Sequence, residues 1–380
     1  MCNISQSSPL SELIRCAKLI IWDEAPMVKR FCAKAIDRTF RDIMKCNRPF
    51  GGKCIVMRGD FRKILPVIPK GSRADVVNST INSSYLWSHC KLFQLTKNMQ
   101  LSSSSSTDNS KLKLFSDWLL DIGDGRIGLP HDGMEEIEVP DDFLIMDYHD
   151  PLQSIVEATY PDLLHHLADS EYLTNRAILT PTVEVVDQIN DYMCSLLPGE
   201  PIEYFSSDSV SIADQGCASF QELYTTEFLN TIKCSGLPPH RLAVKVGVPI
   251  MLVRNIDQAA GLCNGTRLKI TFLGKHFIKA IALNGTSIGQ EVLIHRMDMN
   301  PSKSRLPFTM TRRQFPIILS FAMTINKSQG QSMTNVGLYL RRPIFTHGQL
   351  YVALSRVKSM DGIKILILDS DKNPTNREIF

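Results

Sequence analysis

Two adjacent carboxylates, Asp23 and Glu24, follow an apolar run in the stretch LIIWDEAPM at residues 19–27. Acids at the carboxyl end of a parallel strand stand where open α/β sheets bind ligands. A magnesium nucleotide needs an anion there. A second run ends in RGDFRKILPVIP, residues 58–69. Gly59 permits a tight strand-end turn, and Asp60 and Lys63 would reach the same sheet edge as Asp23 and Glu24. FAMTINKSQGQS, residues 321–332, offers Lys327, Ser328, Gln329 and Gly330 as phosphate donors at a helix N-terminus. GQLYVALSRVKS, residues 348–359, reads as a helix carrying Arg356, a charge that could clamp a phosphate. By residue type alone, a structural Asp turn and a surface arginine remain open alternatives.

These groups need sheets and helices to hold them. Residues 18–22 and 53–57 read as strands, the first a buried parallel one. Residues 28–46 read as a helix, with Ala33, Ile36, Phe40, Ile43 and Met44 at helical spacing. Strand, helix and strand make a βαβ unit. LSSSSSTDNS, residues 101–110, reads as a flexible linker extending to residue 113. A short helix is expected over 112–120, then a strand over 177–179. The helix after that strand would turn Val183, Val186 and Ile189 inward. Residues 264–314 alternate in short runs broken by Gly and Asn-Gly turns, which reads as a small antiparallel, SH3-like barrel. Its cations include Arg267, Lys269, Lys275, Lys279, Arg296, Lys303, Arg305, Arg312 and Arg313. KILILD near the end reads as a strand. The fold class is thus α/β. Residues 1–100 read as a first parallel-sheet domain. Residues 114–263 and 315–380 form a second, into which the barrel is inserted.

The net charge of +3 averages over blocks of opposite sign. Residues 1–113 hold 19 Lys/Arg against 8 Asp/Glu, residues 114–229 hold 2 against 24, and residues 233–313 hold 13 against 3. The basic blocks suit a phosphate backbone and the acidic block repels one. The 10 cysteines include no C-x-x-C pair, which disfavours a zinc site. No apolar run approaches the roughly 18 residues of a membrane helix, so no membrane partner is expected.

Taken together, LIIWDEAPM, GDFRKILPVIPKGSRADVV, LTKNM, ILTPT, FAMTINKSQGQS and YVALSRV follow the motif order of superfamily 1B helicases. The chain resembles the Pif-type DNA helicases, with its nearest likeness to plant Pif-like and Helitron-type members. GLCNGTRLKI resembles the start of that family's small barrel domain. The resemblance spans nearly the whole chain and implies two RecA-like domains, with residues 1–100 as the carboxyl-terminal part of an incomplete first one. It implies an ATP-dependent helicase moving 5′ to 3′ on single-stranded and forked DNA, in repair, recombination and telomere maintenance. ATP and Mg2+ are the implied cofactors. Asp23 would hold magnesium, Glu24 would activate the attacking water, and Lys63 would meet phosphate. Asp60 would couple nucleotide state to DNA. Lys327, Gln329, Gly330 and the arginine finger Arg356 would meet nucleotide. Asn326, Ser328, Arg267, Lys269, Lys275 and Lys279 would meet DNA. A monomer in the nucleus is expected, with the mitochondrion as the alternative compartment.

The chain departs from the family pattern near the expected cleft. No G-x-x-x-x-G-K-[ST] phosphate loop occurs in the 380 residues, which suggests an N-terminal truncation inside the first domain. Lys63 stands where the family usually has Gln, Gln100 where it has Arg, and Arg58 where Gly is common. The expectation is that the chain alone does not hydrolyse ATP. A helicase remnant that still binds single-stranded DNA, or a transposon relic without function, are the alternatives.

Overall fold

The apolar run Leu19–Trp22 forms β1 and Cys54–Met57 forms β2. They pair in parallel, Leu19 opposite Cys54 and Trp22 opposite Met57. The helix Arg30–Met44 joins them as the periodicity expects. It stops at Lys45, whose left-handed backbone (φ 52°) returns its N–H to the Arg41 and Asp42 carbonyls. Ala33, Phe40 and Ile43 are buried with Ile14, Phe50, Ile81 and Leu86, and Ile36 and Met44 pack alongside. The expectation of a buried β1 fails. Strand side chains alternate between faces, and only the Ile20, Trp22, Ile55 and Met57 face joins this core. Leu19, Ile21 and Val56 on the other face are exposed.

The computed structural model describes residues 2–68, 71–97, 106–131, 134–210, 224–234, 236–301, 308–344, 348–369 and 373–379. Pro69, Gln100, Lys303 and Arg305 lie outside them. The chain divides into two units. The first comprises Met1–Val139, Pro343–Ser355 and Asn376–Phe380, and the second comprises Pro140–Arg342 and Arg356–Thr375. This differs from the sequence-based domains, since residues 114–139 and two later segments join the first unit. The reason lies in the helix Ser106–Gly123, which is longer than expected and starts within the supposed linker. Phe115 and Ile122 are buried, so packing overrides the polar composition at its start. The strands Leu129–His131, Met134–Glu138 and Arg377–Ile379 complete the first unit as an antiparallel sheet.

In the second unit four parallel strands run in the order Ala322–Thr324, Arg176–Thr180, Asn335–Leu340, Ile363–Ile367. The helix Val183–Leu196 buries Val185, Val186, Ile189 and Met193. Val183 was expected inward but is 62% exposed, because the first helical residue lies off the buried stripe. The basic segment forms antiparallel strands Arg267–Leu273, Phe277–Ala282 and Glu291–His295. It does not stand apart at 264–314. Strands Pro249–Leu252 and Ile317–Leu319 extend that sheet to five, and Ser207–Val210 joins Met297–Met299 and Met310–Gln314 in another. Ile250, Leu268, Ile278 and Ile294 share one continuous core with Ile178 and Leu366 of the parallel sheet.

Candidate functional site

In the first unit the ends of β1 and β2 bring the expected residues together. Lys63 Nζ donates to Glu24 Oε1 at 2.7 Å. Glu24 adopts a left-handed backbone (φ 52°), an uncommon conformation for a residue with a Cβ. Asp23 Oδ1 accepts from the Glu24 N–H at 2.9 Å, and Asp23 Oδ2 lies 3.6 Å from Arg58 Nη1. Two backbone bonds lock the strand ends, Arg58 N–H to Trp22 O at 2.8 Å and Ala25 N–H to Arg58 O at 3.0 Å. Gly59 serves a different purpose from the turn expected of it. A Cβ there would lie 2.1 Å from Pro26 Cδ, so it is required by the close approach of two loops.

Asp60 is tied to two other segments of this unit. Its Oδ2 accepts from the Tyr351 hydroxyl at 2.9 Å, and its Oδ1 accepts from the Arg62 N–H at 3.0 Å. Arg62 Nε in turn donates to Asp124 Oδ1 at 2.5 Å. That bond raises the Arg62 pKa and lowers that of Asp124. Gly348 fits where a Cβ would lie 2.5 Å from Arg62 O, and its φ of 76° suits only glycine. Sequence reasoning missed this network. Tyr351 lies 291 positions from Asp60 and Asp124 lies 62 from Arg62, beyond the reach of local pattern.

In the second unit the 321–332 stretch forms the strand Ala322–Thr324 and a single turn of helix, Ile325–Ser328. Lys327 and Ser328 therefore lie within that turn and Gln329 and Gly330 just after it, not at a helix N-terminus as expected. Gly330 (φ 84°) is exposed, and Asn326 and Gln329 are half-buried. Burial, then the nearby positive charge of Arg254, lowers the Lys327 pKa from 10.5. Ser328 is fully buried and its Oγ donates to Ile325 O at 2.8 Å, so it is not placed to meet DNA. Arg356 also points inward. It is 7% exposed, and its Nη1 donates to Gln331 O at 2.9 Å and Ser328 O at 3.3 Å. The expected finger thus braces the 328–331 segment expected to meet phosphate.

The expected DNA-facing cations separate into two kinds. Arg267 is 1% exposed and donates to the carbonyls of Thr174, Arg176 and Ser320, each at 3.1 Å. It replaces solvent for those buried carbonyls, and the assignment to DNA is corrected. Arg312 is likewise internal, paired with Asp208 at 2.6 Å. Lys269 is half-buried and donates to Ala168 O, while Lys279 lies 3.3 Å from Glu291. Lys275 is exposed at the turn between two strands. Alternation along a strand identifies two faces but not which one packs against the rest of the unit.

Asp23 bears on the question of a metal. Its side chain is 58% exposed. Mg2+ takes one or two carboxylates plus phosphate oxygens and water, and Asp23 fits that demand. Among the described residues no group of three or more His, Cys, Asp or Glu could hold a metal ion.

Parallel strands with acids and cations at their ends place the chain in the α/β class. The PIF1-like helicase profile matches residues 1–133, and that of the DNA helicase Pif1 2B domain matches residues 227–273. The chain is similar to the ATP-dependent DNA helicase PIF1 of Danio rerio, 26% identical over 391 residues, covering 99% of this chain and 52% of that protein. The PIF1 helicase of Homo sapiens is 26% identical over 359 residues, covering 94% and 47%. The chain therefore spans about half the length of these relatives. Bacteroides Pif1 bound to ssDNA shares the fold with a TM-score of 0.66 at 20% identity, covering 99% of this chain and 75% of that one. A structure of two coordinating Pif1 helicases unwinding forked dsDNA gives 0.65 at 22% identity, covering 99% and 74%. The chain is thus similar to the Pif1-like DNA helicases over nearly its whole length.

Proposed function

We propose that this chain is the motor portion of an ATP-dependent DNA helicase that tracks 5′ to 3′ on single-stranded and forked DNA. The observation that carries the reading is the meeting of Glu24 and Lys63 at adjacent parallel strand ends, 2.7 Å apart, with Asp23 beside them. Asp23 would hold Mg2+, which supplies charge stabilisation to the phosphates of ATP. Glu24 orients and deprotonates the attacking water. Asp60 relays the state of the site through Tyr351. Lys327, Gln329 and Gly330 meet nucleotide, as does Arg356 once its guanidinium leaves the Gln331 carbonyl. Asn326, Lys275, Lys279 and Lys269 contact DNA. The protein works as a monomer, in the nucleus or the mitochondrion, where repair, recombination and telomere maintenance require it.

A polypeptide of these 380 residues alone binds DNA without hydrolysing ATP. Its sequence holds no glycine-rich phosphate loop, and Lys63 occupies the Glu24 carboxylate. Losing one electrostatic contact to the transition state costs roughly 10²–10³ in rate, and a whole cradle costs more. The test measures phosphate release with and without single-stranded DNA, and DNA affinity across 50–300 mM salt. Expected are no DNA-stimulated hydrolysis and an affinity that falls steeply with salt. Stimulated hydrolysis abolished by Glu24→Gln would overturn the first part. Absent or salt-insensitive DNA binding would overturn the DNA reading.

A further inference from the structure

The five-stranded sheet of the second unit ends at the strand Glu291–His295, whose one strand neighbour among the described residues is Phe277–Ala282. The ladder between them fixes which backbone groups are used. The Ala282 N–H donates to Gln290 O at 3.1 Å, and bonded pairs alternate along an antiparallel ladder. Val292 and Ile294, opposite Ala280 and Ile278, therefore direct their N–H and C=O groups into the sheet. Glu291, Leu293 and His295 direct theirs to the open edge, where no described residue bonds them. Proteins usually blunt such an edge with lysine, proline, a bulge or a cover. This strand, EVLIH, holds no lysine or proline, and its register runs without a bulge. Its one carboxylate, Glu291, lies 3.3 Å from Lys279. The solvent face beside the edge is partly apolar. Leu293 is 51% exposed, and Phe277, opposite His295, stacks with the exposed Phe272 at 5.8 Å.

An alternating row of amide donors and carbonyl acceptors at strand spacing is matched by the backbone of another strand. A nucleic acid has no such row. Charge narrows the choice of strand. Residues 233–313 hold 13 Lys/Arg against 3 Asp/Glu, and Lys275 and His276 are exposed at the turn that leads into Phe277. A second copy would bring like charge to this edge, whereas an acidic segment brings the opposite. We propose that this edge takes up an extended, acidic segment of a partner protein as a sixth, antiparallel strand, with an apolar residue opposite Leu293. The inference goes beyond the DNA reading and does not depend on it.

The test uses the full chain and a fluorescein-labelled heptapeptide, Glu-Val-Thr-Val-Thr-Val-Glu, at up to about 1 mM. The peptide should slow amide exchange at Glu291, Leu293 and His295 by about tenfold or more. Val292 and Ile294, whose amides already serve the ladder, should change little. The same peptide methylated on its valine nitrogens, the ones that face the edge, should bind about tenfold more weakly. Leu293→Pro removes one outward N–H and no ladder bond, and should weaken the plain peptide by a similar factor, with the fold checked by circular dichroism. The methylated peptide makes the same comparison without altering the protein. No slowing at the three edge amides, or equal binding of the plain and methylated peptides, overturns the proposal. Edge amides that already exchange slowly without peptide, in a chain that sediments as a dimer, give the edge to a second copy and overturn it too. Slowing of the same amides by dT12 gives the edge to nucleic acid, with the same consequence.

Discussion

Lys63 and Glu24 form an ion pair at 2.7 Å between the loops that follow two adjacent parallel strands. The pair joins the residue proposed to meet phosphate to the one proposed to act on water. It also helps hold Glu24 in a left-handed backbone, which costs of order 1–3 kcal/mol.

Lys63→Gln tests what the pair contributes. The two side chains are 22% and 28% exposed, so solvent still screens them and the net stabilisation is about 1 kcal/mol or less. The unfolding midpoint should fall by no more than about 4 °C. A cycle with Glu24→Gln should give a coupling of about 0.5 kcal/mol or more. Additive single substitutions would show that the contact carries no energy of its own.

Much of this strand-end site was legible before the structure. The apolar runs, the helical spacing of Ala33, Phe40 and Ile43, and the acids at 23 and 24 specify a βαβ unit with ligands at one edge. What escaped the sequence reading depends on partners distant in the chain. Asp60 meets Tyr351 across 291 positions. Arg267 reads as a strand-borne cation until its pairing with Met251 and its bonds to three carbonyls turn it inward. The helix Ser106–Gly123 begins in residues whose composition suits a linker, because its buried face lies further along. Local pattern specifies elements; only packing specifies which face is covered.

Arg267→Met separates a structural cation from a DNA-binding one. Methionine fills some of the volume but removes the side-chain donor from the carbonyls of Thr174 and Ser320, while Arg176 O keeps the Tyr160 hydroxyl. Each buried group so abandoned costs about 1–3 kcal/mol, so chemical denaturation should show a loss of roughly 2 kcal/mol or more. Lys275→Ala, at an exposed turn, should change stability by less than about 0.5 kcal/mol. Equal effects of the two substitutions would contradict the inward assignment of Arg267.

Gly59→Ala should loosen the first unit selectively. The added Cβ would lie 2.1 Å from Pro26 Cδ, and the Pro26 ring cannot rotate away. Overpacking of this kind costs about 1–3 kcal/mol. Amide exchange should accelerate over residues 19–27 and 54–63, while the parallel strands of the second unit keep their protection. Adding Pro26→Ala should recover part of the loss, a non-additive result. Lack of recovery would place the strain elsewhere.

Lys327 gives a prediction in which stability and binding move in opposite directions. Burial, then Arg254, holds its pKa below 10.5. Between the folded value and 10.5 the unfolded chain binds the proton more tightly than the folded chain, so stability rises with pH across that window. Below the window the penalty for keeping the charge is present in full, including at pH 7. Lys327→Met removes that penalty, so its unfolding midpoint at pH 7 should exceed that of wild type, with the gain shrinking as pH approaches 10.5. A gain independent of pH would mean that the substitution acts through packing. If Lys327 meets phosphate as proposed, an incoming phosphate would supply a counter-charge to this buried ammonium. The same variant should therefore bind single-stranded DNA or an ATP analogue about tenfold more weakly. A variant that is more stable at neutral pH and binds both ligands like wild type would remove Lys327 from the site.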